Sequence, residues 1–144
     1  MGTQKVEIGP AVSSDLVRLA VGYNDALDRC TRTGGENIDE VMEFFADDAF
    51  RVTVGQEPSV GKEAIRQSFL NRSANLQQVV ELRGIELWGD LVVCRIERKD
   101  TTHAIAGLEH HLRILLVKGG LIKRLIVVVD PEEDARLKSS PNSA

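Results

Sequence analysis

The sequence predicts an α+β domain in which three helices pack on one face of a strongly curved antiparallel sheet. Three observations carry that expectation. Two amphipathic helical patterns precede any strand pattern, and a third follows a loop marked by Gly55, Pro58 and Gly61. From Leu76 to Asp130 the apolar residues then recur at period two, with β-branched residues between glycine turns. Helices first and a meander afterwards is the order of a layered α+β domain.

Taken in order, Ser13 or Ser14 caps a first helix whose apolar positions are Leu16, Leu19, Tyr23, Ala26, Leu27 and Cys30, a single buried stripe. Thr33-Gly34-Gly35 ends it. Asn37 opens a second helix with Glu40 in the capping-box position, and Ile38, Val41, Met42 and Phe45 face inward. Phe50 to Val54 alternates like a short strand, and Lys62 to Arg72 forms a third helix anchored by Ile65 and Phe69. Four long strands follow, over approximately 78–88, 91–101, 108–118 and 121–130, with hairpin turns at Gly89-Asp90 and Gly119-Gly120 and a looser one within 102–107. The domain is expected to span 14–130, with flexible tails at 1–12 and 131–144.

A chain of 144 residues holds one core. With 42% hydrophobic and 28% charged residues and a mean hydropathy of -0.13, the composition is that of a globular protein. The longest apolar run, Leu125 to Val129, falls far short of the roughly 20 residues that span a membrane. No basic patch followed by an apolar run stands at the N-terminus, so a cytoplasmic location is expected. Net charge is -4, with Lys and Arg interspersed among acids, which disfavours nucleic-acid binding. Cys30 and Cys94 have neither metal-site nor disulfide-framework spacing and read as small buried hydrophobes. No metal and no cofactor is expected.

The helical motifs resemble those of the nuclear transport factor 2-like superfamily, whose members include ketosteroid isomerases, SnoaL-like polyketide cyclases and limonene epoxide hydrolases. Tyr23, Ala26 and Leu27 stand at the spacing of the isomerase first helix, and Phe45-Ala46-Asp47-Asp48-Ala49 follows. Val54-Gly55-x-Glu57-Pro58-x-x-Gly61-x-x-Ala64-Ile65-Arg66-x-x-Phe69 resembles the isomerase pattern around its third helix. The resemblance covers Leu16 to Asp130 and implies a cone-shaped fold around one apolar pocket. It also implies roles: Tyr23 matches the tyrosine that donates into the isomerase oxyanion site. The isomerase general-base aspartate falls on Val52, or on Thr53 with the gap moved, and the second aspartate falls near His111 or Leu112. Authentic steroid isomerisation is therefore not expected. Glu97-Arg98-Lys99-Asp100 resembles the Glu-Arg-x-Asp strand of the epoxide hydrolases, which supplies Arg98 and Asp100. The other acid of that family falls on Val127, and its water-holding tyrosine and asparagine fall on Arg51 and Thr53.

Strand alternation places Val92, Cys94 and Ile96 toward the helices and Arg95, Glu97 and Lys99 toward solvent, with Arg98 and Asp100 continuing the inward set. Those two form either a pocket pair or a rim ion pair. On the last strand the resemblance implies that Leu125, Val127 and Val129 share the face that lines the cavity in the isomerases. Ile126 and Val128 face out, onto a homodimer interface or beneath a covering segment. His110 and His111 point to opposite faces, so only one can enter the pocket, and they cannot jointly bind one metal ion unaided. His111, if inward, is a candidate general base.

The expected catalytic set is thus Tyr23, Arg98, Asp100 and His111. Leu27, Val52, Phe69, Trp88, Ile96, Leu125, Val127 and Val129 are the expected substrate-binding set; Trp88 reads either as a pocket lid or as surface packing at a turn. Two functions fit: a cofactor-independent acid–base enzyme acting on a small apolar molecule (isomerase, polyketide cyclase-like or epoxide hydrolase-like), or a non-catalytic dimeric binding or accessory module.

Overall fold

The computed structural model describes residues 7–8, 14–75, 78–100 and 108–129, with 7–8, 14, 72–75, 78–80, 98–100 and 108–109 described by backbone course alone. The element order is β1 (Glu7–Ile8), α1 (Ser14–Arg32), α2 (Ile38–Met42), β2 (Phe45–Thr53), β3 (Ser59–Val60), α3 (Lys62–Asn75), β4 (Gln78–Trp88), β5 (Leu91–Asp100), β6 (Leu108–Lys118) and β7 (Leu121–Val129). One seven-stranded sheet runs β1-β4-β5-β6-β7-β2-β3. The three helices and the four-strand meander stand where the sequence places them.

Helix α1 buries Ala20, Tyr23, Ala26, Leu27 and Cys30, the stripe its periodicity predicts. It ends as expected: the amide of Gly35 donates to the carbonyl of Cys30 at 2.8 Å, and Gly34 takes φ 69° where a side chain would be strained. The capping box of α2 does not form. Asn37 donates instead to the Ala26 carbonyl at 3.0 Å and to Glu40 Oε1 at 3.2 Å, while both Glu40 oxygens accept from Arg29, at 2.8 and 2.5 Å. Asn37 and Glu40 thus pin α2 to α1 rather than to its own backbone.

Strand β2 begins at Phe45, earlier than its alternation suggests, because the amide of Ile122 donates to the Phe44 carbonyl at 2.8 Å and draws this segment alongside β7. β2 and β7 run parallel, with a register irregularity between Phe45 and Phe50. Phe45, expected on a helix, is still almost wholly buried. Glu7 and Ile8, inside the expected N-terminal tail, pair in parallel with Gly84 and Ile85. The expected 131–144 tail and the 102–107 turn lie outside the described residues. Among the described residues, no helix is long and apolar enough to cross a membrane.

The register defines the two faces of the sheet. Inward, against the helices, lie the cross-strand rows Leu87–Val92–Leu115–Leu125–Arg51 and Ile85–Cys94–Arg113–Val127–Thr53, followed by Leu82–Ile96–His111–Val129. Outward lie Val93–Ile114–Ile126–Val52 and, beside it, Arg95–Leu112–Val128. The inner rows are apolar except for Arg51, Arg113, Thr53 and His111. Burial of each large apolar side chain there contributes about 1.5–3 kcal/mol.

Candidate functional site

Arg113 stands in the middle of an inner row, flanked by Cys94 and Val127, and is only 6% exposed. A guanidinium cannot leave water without acceptors. One is supplied by α1: Arg113 Nη1 donates to Asn24 Oδ1 at 2.5 Å. Asn24 is fixed in turn, its Nδ2 donating to the Ala20 carbonyl at 2.8 Å and reaching Cys94 Sγ at 3.6 Å. The neighbouring residue on α1 is Tyr23.

Tyr23 is wholly buried, its ring held edge-on by Phe44 and Phe45 with centroids 5.8 and 5.5 Å away. Phe45 continues to Phe69, at 6.0 Å. Among the described residues the Tyr23 hydroxyl has no hydrogen-bond partner. Burial pushes its pKa up from 10.0 to about 12, a rise held back by the positive charges of Arg113 and Arg51. Burial likewise pushes the Cys94 thiol up to about 11.

Arg51 projects from the inner side of β2 with its guanidinium 4.9 Å above the Phe69 ring and Nη1 3.5 Å from Ser68 Oγ. Its Nε is shielded and finds no acceptor among the described residues. Burial lowers its pKa, and Arg113 adds to the lowering as a like charge. Tyr23, Arg51 and Arg113 therefore lie close enough for each to act electrostatically on the others. Two cations and one neutral hydroxyl thus come from β2, β6 and α1 to the same side of the sheet.

Of the expected catalytic residues, Tyr23 joins this cluster. His111 is buried on the inner face, two residues from Arg113 along β6, whereas His110 is exposed on the outer face with Nε2 3.6 Å from Glu97 Oε2. Of the pair, His111 is therefore the inward one. The side chains of Arg98 and Asp100 lie outside the described residues; the backbone register sets Arg98 opposite Val80 and Glu109, and Asp100 opposite Gln78. Leu27, Phe69, Ile96, Leu125 and Val127 are buried, and Val129 packs against the same core.

Two expected pocket residues are placed elsewhere. Val52 pairs with Ile126 and takes the outer face, because the strand phase puts Arg51 and Thr53 inward. Trp88 ends β4 at 64% exposure, donating to Glu86 Oε1 at 3.1 Å, and so packs at the turn rather than closing a cavity. A hollow of about 380 Å³ opens over the outer row Arg95–Leu112–Val128, with Arg83, Glu97 and His110 at its rim and Ile96, His111 and Val129 also in its wall. Among the described residues, no group of three or more His, Cys, Asp or Glu side chains is placed to hold a metal ion.

Sequence reasoning missed Arg113 and Asn24 and gave Arg51 no role. The available signal was the phase of β6: once His111 faces inward, Arg113 must as well. That phase is obscured because Leu112, Ile114 and Leu116 make the alternate face equally apolar.

No family model and no curated protein matches the chain. Solved structures do. An LEH-like epoxide hydrolase from M. tuberculosis superposes with a TM-score of 0.73 at 15% identity, over 86% of this chain and 89% of that one. An NTF2-like protein of unknown function from Cytophaga hutchinsonii ATCC 33406 gives 0.65 at 12% identity, over 86% and 96%. A hypothetical protein with a ketosteroid isomerase-like fold from Catenulispora acidiphila DSM 44928, solved in complex with trimethylamine, gives 0.65 at 16% identity, over 76% and 82%. At these identities the likeness is one of fold, and the fold of this chain is the nuclear transport factor 2-like, ketosteroid isomerase-like one.

Proposed function

We propose that the chain is a cofactor-independent enzyme that works by acid–base chemistry on a small, largely apolar molecule, held between α1, α3 and the inner sheet face. The observation that carries this reading is the Tyr23 hydroxyl, buried beside Arg51 and Arg113 with no hydrogen-bond partner among the described residues. The hydroxyl is protonated at neutral pH, so it donates a hydrogen bond to a substrate oxygen as negative charge develops there. Arg113, oriented by Asn24, and Arg51 stabilise the same charge. His111 takes or returns the proton. Arg98 and Asp100 enter the proposal as an anchor and a further acid–base group. The buried cysteines, used as thiols, suit the cytoplasmic location that the reading includes.

The test is turnover of a panel of cyclic ketones and epoxides in deuterated buffer, followed by NMR. Deuterium uptake beside a carbonyl, or diol formation, is expected to depend on the protein and to fall at least about 100-fold in Tyr23→Phe. Turnover is also expected to fall at least about 10-fold in His111→Gln, which keeps the size of the side chain but cannot exchange a proton. No turnover of any member, with panel compounds still bound, would favour the non-catalytic module instead. One observation favours that second reading: Thr53 and Val127 stand side by side on the inner face, at positions matched to family carboxylates, and neither can move a proton.

Self-association through the outer sheet face is part of the proposal. Val52, Ile126, Ile114 and Val93 form an apolar row across four strands, continued by Leu112 and Val128. Sedimentation velocity is expected to give a dimer that Ile126→Lys converts to monomer; a monomeric parent chain would remove this interface.

A further inference from the structure

We infer that Phe44 is the gate through which a small apolar ligand reaches Tyr23, and that its ring sets the width of the group admitted; this deepens the proposed function and rests on it. Two rings pack edge-on against Tyr23. Phe45 is buried and also packed against Phe69, so it has no room to move. Phe44, its centroid 5.8 Å from that of Tyr23, is only half-buried. It forms part of the wall of an open groove of about 580 Å³ between α1, the end of α2 and the β6–β7 turn. Leu19 and Gly22 share that wall, and the exposed Arg18, Glu40 and Glu43 line the groove as well. One ring therefore stands between the groove and the wholly buried Tyr23.

Gly22 accounts for the closed position. Glycine is unfavourable inside a helix relative to alanine, and here it makes room for the ring. A Cβ at this position would stand 3.3 Å from Phe44 Cζ and 3.4 Å from Cε1. The ring is thus seated in a notch of α1, with the groove beside it. The Phe44 backbone is tied at both ends: its amide donates to the Val41 carbonyl at 3.2 Å, and its carbonyl accepts from the Ile122 amide at 2.8 Å. Opening is therefore a rotation of the side chain into the groove, with the backbone bonds kept. The space vacated beside Tyr23 is that of one phenyl ring, so a flat or slender apolar group enters and a bulky cage does not.

Tyr23 is the single tyrosine of the chain, so 3-fluorotyrosine labelling places one fluorine reporter behind the gate. Fluorine NMR on the full chain follows titrations with cyclohexanone and with 2-adamantanone, and it reads contact with Tyr23 whether or not turnover occurs. In the parent, cyclohexanone is expected to shift the signal saturably, and 2-adamantanone, although more apolar, to bind at least about ten-fold more weakly. In Phe44→Ala the affinity for 2-adamantanone is expected to rise about ten-fold or more. Phe44→Leu, which keeps more of the packing, should show a smaller rise and covers the case in which the alanine variant fails to fold. No gain for 2-adamantanone in a folded variant would overturn the gate and leave the pocket reading standing. No shift with either ketone, in parent or variant, would overturn both.

Discussion

Replacing Phe45 by alanine is expected to lower the stability of the domain by about 3–5 kcal/mol, read as a fall in the urea midpoint with an unchanged slope. The side chain is 1% exposed and bridges two rings, Tyr23 at 5.5 Å and Phe69 at 6.0 Å, so its removal leaves a cavity between α1, α3 and the start of β2. Partial collapse into that cavity would tilt Tyr23 and lower the platform beneath Arg51. Binding or turnover should therefore fall along with stability, although Phe45 donates nothing to a ligand. A loss below about 1 kcal/mol would show that this aromatic chain is not the keystone of the helix–sheet packing.

Tyr23→Phe is expected to separate stability from function. At neutral pH the variant should be as stable as the parent or more so by about 1 kcal/mol, because it removes a buried hydroxyl that has no partner among the described residues. Activity, on the proposed reading, should nevertheless fall by two orders of magnitude or more. The alkaline limb gives an independent check. The folded pKa is raised to about 12 against an ordinary 10.0, so the neutral form is favoured by folding. This contribution is complete below pH 10 and fades as the unfolded chain releases its proton above that point, the loss reaching about 2–3 kcal/mol by pH 12. Urea titrations at pH 8 and pH 11 should show the parent losing about 1 kcal/mol more than the phenylalanine variant between the two. Cys94, raised to about 11, adds an alkaline loss common to both proteins and cancels in the comparison. Identical pH dependence in the two proteins would mean that the Tyr23 hydroxyl is solvated or paired in solution.

These predictions rest on parts of the molecule that differ in how far the sequence reveals them. Helix α1 and the strand pattern from Gln78 to Val129 are legible because apolar spacing and turn glycines are local signals. The inner and outer phase of β5 was legible too, since Arg95 and Glu97 alternate with Val92, Cys94 and Ile96. The start of β2 was not, because its pairing is set by Ile122, distant in sequence. The displaced capping box has a similar origin, in a competing contact made by Arg29.

The sequence by itself determined the element order and the core stripe of α1 that carries Tyr23, because those follow from periodicity and chain reversal. Only the tertiary structure decided that His111 rather than His110 turns inward, that Val52 turns outward, and that Arg113 is carried with His111 into the core. In β6 both phases are apolar enough to be buried, so local hydrophobicity cannot choose between them. The choice was made by long-range pairing of Arg113 with Cys94 and Val127, and by an Asn24 amide waiting on the opposite helix.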